Sequence, residues 1–129
     1  MNLLDTNFVL RYLIGDDERM ATEAMEIVTK ERCRIPSEVL AEAVYVLTGY
    51  YGLERRIAAE ALRELLELES IVMEEKAAYR EALRLFGEGG LDFVDCCLCA
   101  REGDYRVRTF DKRLGRCLEA RRSGNGGGR

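Results

Sequence analysis

Four short β-prone segments, each followed by a stretch with helical periodicity, constrain this chain more than any other feature. Leu3-Leu4, Cys33-Arg34-Ile35, Ile71-Val72-Met73 and Arg106-Val107-Arg108-Thr109 are too short and too β-prone to be helix cores. Between them, apolar residues recur every three or four positions, most clearly at Ile57, Ala61, Leu62, Leu65, Leu66 and Leu68. Short apolar strands alternating with helices predict an α/β fold, a short central parallel sheet of four to five strands with helices on both faces. At 129 residues the chain suits one domain. That domain is expected over 1–120, with 121–129 as a flexible glycine-rich tail ending Gly126-Gly127-Gly128-Arg129.

The punctuation supports these elements. Gly15 ends a first helix, Asp16-Asp17 starts a second, and Pro36-Ser37 opens a third with a capping hydroxyl. Gly87, Gly89 and Gly90 stop the helix that begins at Lys76, and Asp92 is the natural N-cap of the next one.

Within this frame four acids stand out. Asp5 and Asp111 each follow an apolar strand segment, the end of a parallel sheet where ligands bind. Glu42 lies among Val39, Leu40, Ala43, Val44 and Leu47, where burial of an unpaired carboxylate is costly. Asp95 faces inward from the first turn of the helix capped by Asp92. Each acid alone has an ordinary explanation as a cap or surface group. Gathered in one pocket, they would repel unless a cation sat among them, and oxygen ligands suit Mg2+ or Mn2+. Thr6, Asn7 and Thr109 add hydroxyl and amide groups beside the acids. The chain has no histidine, which excludes a Ser-His-Asp triad, a Cys-His pair and a histidine-ligated zinc. It carries no GxGxxG and no P-loop, which argues against a nucleotide cofactor.

These residues resemble the motifs of PIN-domain ribonucleases, most of all the VapC-type toxins of toxin–antitoxin pairs. Leu4-Asp5-Thr6-Asn7 resembles the opening motif, Glu42 the helical glutamate, Asp92-Phe93-Val94-Asp95 the helix-start motif and Thr109-Phe110-Asp111 the last one. The resemblance spans roughly 1–118, with the motifs in the family's order. It implies a metal-dependent endoribonuclease using Mg2+ or Mn2+, with Asp5, Glu42, Asp95 and Asp111 as catalytic and metal-binding acids and Asp92 as an accessory. It also implies an RNA substrate, a homodimer and a small antitoxin protein as partner. The alternative is a catalytically silent PIN-like module that binds RNA or protein. Two departures from the family are visible: helix rather than a fifth strand is expected after Asp111, and Cys96-Cys97-Leu98-Cys99 replaces small apolar residues.

Charge is unevenly spread. Residues 1–100 carry 11 basic and 20 acidic groups, whereas residues 101–129 carry 9 and 4, so the C-terminal part could meet phosphate. Lys112, Arg113 and Arg116, with Arg11 on the first helix, are the candidate RNA contacts. Tyr50 and Tyr51 could stack on bases, line a dimer interface or pack in the core. No apolar run approaches the roughly 20 residues that span a bilayer, and no leader is visible, so a cytoplasmic location is expected. Five cysteines in such a chain are expected to be reduced, mostly buried thiols, and Cys96-x-x-Cys99 carries little zinc or redox signal.

Overall fold

The computed structural model describes residues 1–128, with side chains through Gly124. Three parallel strands, β1 (Asn2–Leu3), β2 (Cys33–Arg34) and β3 (Ile71–Val72), lie in the order β1-β2-β3. Cys33 pairs with Asn2 on one side and Ile71 on the other. Backbone bonds from Leu4 N to Arg34 O (3.0 Å) and from Ile35 N to Val72 O (3.1 Å) carry the ladder past the strand ends.

The helices are α1 (Thr6–Ile14), α2 (Glu18–Lys30), α3 (Ser37–Tyr45), α4 (Arg55–Glu67), α5 (Lys76–Glu88), α6 (Phe93–Ala100) and α7 (Lys112–Gly128). A π-helical turn, Val46–Tyr50, extends α3. Gly15 ends α1 at φ 70°, a left-handed conformation that favours glycine, and Asp17 caps α2 by accepting from Met20 N. Pro36 precedes α3 as expected, but the Ser37 hydroxyl makes no cap bond. The main core joins Leu4, Ile35, Leu40, Val44, Leu62, Leu66, Ile71, Leu83 and Phe93 around the sheet. Arg55 fastens the end of α5 to the start of α6. Its guanidinium lies 3.7 Å over the Phe86 ring and donates to the carbonyls of Phe86 and Leu91.

The sheet is smaller than the four to five strands expected. Among the described residues, 106–109 form no ladder, and side chains take both backbone groups of Val107 at its centre. Val107 N donates to Glu102 Oε1 (3.0 Å), and Val107 O accepts from Arg122 (3.4 Å). β1 is therefore an edge strand, with Leu3 70% exposed rather than buried, and Phe110 is fully exposed.

The cysteine expectation also needs correcting. Cys99 and Cys117 form a disulfide, because α6 and α7 bring their Cα atoms to 6.3 Å, within bridging range. Cys33 and Cys96 are buried free thiols and Cys97 is a half-buried one. Burial pushes Cys96 up to about 11 and Cys97 up to about 12. The disulfide sits in a second, small core with Leu114 and Leu118, flanked by Leu85 and Val107. Ion pairs from Arg121 to Glu81 (2.7 Å) and from Arg122 to Glu102 (3.1 Å) hold α7 beyond the point where a tail was expected to begin. The α7 backbone continues to Gly128, through residues expected to form the tail; the last tail residue, Arg129, lies outside the described residues.

Candidate active site

Asp5 lies just past β1 and caps α1, its Oδ1 accepting from Phe8 N at 2.8 Å. The next residue reaches across to α3, where the Thr6 hydroxyl donates to Glu42 Oε1 at 2.6 Å. Glu42 is exposed, and no charged side chain of the described residues is fully buried. The burial expected of Glu42 is therefore absent; it sits on the open side of α3, fixed by Thr6. Asn7 is exposed beside them, and its side chain makes no hydrogen bond to another described residue. Asp5, Asn7 and Arg11 share a cleft of about 280 Å³ with Arg19 and Glu23. Arg11, a candidate RNA contact, is held in an ion pair with Asp16 at 2.7 Å.

A second acidic group lies where α6 and α7 begin. Asp92 caps α6 by accepting from Asp95 N (3.0 Å), as its position after Gly89-Gly90-Leu91 suggested. Asp111 accepts from Leu114 N (2.9 Å) and so starts α7, while the Thr109 hydroxyl accepts from Asp111 N (2.9 Å). Asp95 sits between these caps. Partial burial, then the charges of Asp92 and Asp111, push its carboxyl above the ordinary range; Arg113 opposes them. Arg113 is itself anchored on Gly90 O at 2.9 Å, so close that a Cβ at Gly90 would lie 2.8 Å from its guanidinium.

Helix α3 connects the two groups. Tyr45 lies three residues after Glu42, on the same helical face. Its phenol is pushed up by desolvation first and then by Asp92, with Asp95 adding to the effect. Tyr45 escaped the reading of the sequence; the i, i+3 spacing from Glu42 was the signal available. Tyr50 is exposed and packs edge-on against Tyr51 with ring centroids 5.0 Å apart, so it is not a core residue.

The structure thus gathers the candidate acids as two sets, Asp5–Thr6–Glu42 and Asp92–Asp95–Asp111. Among the described residues no three acidic or cysteine side chains converge closely enough to hold a metal as they stand. The donor chemistry nevertheless fits a hard cation. All the candidate ligands are carboxylate oxygens, and each capping aspartate uses one oxygen and leaves the other without a protein hydrogen bond. Asp95 is held among like charges that a cation would relieve.

A family model described as the PIN domain matches residues 3–117, which contain all four acids. The chain belongs to the PIN domain family. It is also 35% identical over 121 residues to a protein described as "VapC ribonuclease" from Aquifex aeolicus (strain VF5), covering 88% of this chain and 90% of that protein. No solved structure matches the chain. The PIN match ends at Cys117, so the disulfide that secures α7 closes at the last matched residue. No helix among the described residues is long and apolar enough to cross a membrane.

Proposed function

We propose that this PIN-domain chain is an endoribonuclease that uses Mg2+ or Mn2+, with Asp5, Glu42, Asp95 and Asp111 as its metal pocket. We infer further that it is the toxin of a toxin–antitoxin pair. The similarity to a VapC ribonuclease over nearly the whole of both chains supports this reading. The observation that carries the chemistry is Asp95, a carboxylate flanked by Asp92 and Asp111 with Arg113 as its one opposing charge.

When bound, Mg2+ or Mn2+ supplies activation of water and neutralisation of charge developing on the phosphodiester. The chain's residues supply the rest. Thr6 orients Glu42, Thr109 orients Asp111 through the backbone N–H, and Asp92 fixes the helix turn that carries Asp95. Arg113, anchored on Gly90 O, offsets part of the negative charge around Asp95. No histidine is present to serve as a base; in this proposal water is the attacking group and no covalent enzyme intermediate forms. A small antitoxin protein, a second copy of the chain and the cytoplasm as the site of action complete the proposal.

The test is cleavage of RNA by the purified chain in Mg2+ or Mn2+, with EDTA as the control. A substrate with deoxyribose at the cut position should still be cleaved, because water rather than the 2′-hydroxyl attacks. Cleavage that persists in EDTA, or that stops with the deoxy substitution, would refute the mechanism. A chain that binds RNA with no metal-dependent cleavage would be the silent binding module instead.

A further inference from the structure

A groove of about 460 Å³ runs between the 106–109 segment and α7. Arg106 and Arg108 form one wall, and Lys112 and Arg116 the other. Lys112 and Arg116 are one helical turn apart on the same face, with Cβ atoms roughly 5–6 Å apart. None of these four cations makes an ion pair or a side-chain hydrogen bond with another described residue, although Arg106 is near enough to Glu102 to lower its titration. Arg121 and Arg122, further along α7, are by contrast both ion-paired, to Glu81 and Glu102. Glu119 is the acid in the lining that remains outside such a pair.

Thr109 lines the groove and lies two residues from Asp111. The Thr109 hydroxyl accepts from Asp111 N and keeps its own proton to donate to an oxygen in the groove. We propose that this groove holds the sugar–phosphate backbone of a single-stranded RNA beside the cleaved bond, with Arg106, Arg108, Lys112 and Arg116 meeting its phosphates. The proposal rests on the nuclease reading and adds a binding track. It brings in Arg106 and Arg108, and it leaves out Arg113, whose guanidinium is tied to Gly90. A polyanion is the occupant that fits. Carboxylates at the reaction site repel RNA, and a cationic track beside them offsets that repulsion in a chain of net charge −4.

The test measures binding of a fluorescein-labelled oligouridylate to the full chain carrying Asp95→Asn, as a function of salt. For single strands each phosphate contact contributes about 0.7 to the slope of log affinity against log salt. Arg106→Gln/Arg108→Gln should therefore lower the slope by about 1.4, which between roughly 50 and 200 mM salt is a sevenfold smaller loss of affinity. Lys112→Gln/Arg116→Gln should do the same, so the test survives if one pair fails to fold. The control Lys30→Gln/Arg56→Gln, on α2 and α4, should match the parent. Unchanged slope and affinity in both groove variants would overturn the proposal. So would variants that bind RNA normally and lose binding to polyglutamate, which would assign the groove to an acidic protein segment. Because binding is measured without cleavage, a chain that binds RNA here and never cuts it would refute the nuclease reading alone.

Discussion

Removing the Cys99–Cys117 bridge by Cys117→Ser should lower stability by an amount that follows from loop length. The bridge closes a loop of 18 residues. Chain-entropy arguments give about 3 kcal/mol for a loop of that size. For 129 residues the unfolding entropy is about 0.27 kcal/mol per kelvin, so Tm should fall by about 11 °C. The effect should be felt first at α7, which rests on the small core around Leu114 and Leu118 and on the Arg121 and Arg122 ion pairs. Asp111 starts that helix, so loosening α7 should also let the Asp95 carboxyl fall back toward its ordinary range. The assay is thermal unfolding by circular dichroism, with wild type measured with and without reductant. Reduced wild type and Cys117→Ser should coincide, and unreduced wild type denatured without reductant should show three thiols, those of Cys33, Cys96 and Cys97. Five thiols, or a Tm unmoved by reductant, would refute the reasoning.

Glu81 accepts from Arg84 and Arg121, and its carboxyl is held down to about 2 from the ordinary 4.5. A lowered carboxylate stabilises the fold above the ordinary value, and that contribution is lost as pH falls from 4.5 toward 2. After allowance for its partial exposure, Glu81→Gln should cost roughly 1–2 kcal/mol at neutral pH and flatten the acid limb of a denaturation series; an unchanged limb would contradict it. Asp95 is the opposite case. Its raised carboxyl makes the charged form unfavourable in the fold, so metal-free Asp95→Asn should melt above metal-free wild type at neutral pH, and a lower melting point would count against the repulsion described. Thr6→Val removes the 2.6 Å bond to Glu42. It should cost under about 1 kcal/mol in stability yet lower metal affinity by about tenfold or more, read by Mn2+ titration. Equal affinity in Thr6→Val would remove Thr6 from the site.

The readable parts of this chain were those in which local chemistry decides the outcome. Ile71-Val72 and Cys33-Arg34 became strands, and the α4 periodicity became an amphipathic helix. Asp17 and Asp92 became caps because short side-chain oxygens satisfy helix N–H groups wherever they precede an apolar turn. What escaped depended on distant partners. The 106–109 segment has strand composition, but Glu102 and Arg122 take the backbone groups of Val107 within it. Glu42 looked buried from its neighbours, whereas only the rotation of α3 decides which face meets the core. The pairing of Cys99 with Cys117 required knowing that α7 returns onto α6. At the site, the order of the acids along the chain suggested one pocket. The side chains form two sets joined by α3, and Tyr45 between them could be found only from that packing.

The proposed chemistry has carboxylates just past β1, on α3, on α6 and at the start of α7 acting together on a cation to hydrolyse RNA. Its most direct test is the rate of RNA cleavage in Mn2+ by wild type and Asp95→Asn, with folding of both checked by thermal melt. EDTA-sensitive cleavage by wild type and its loss in a folded Asp95→Asn are expected. Cleavage by Asp95→Asn at the wild-type rate would contradict it.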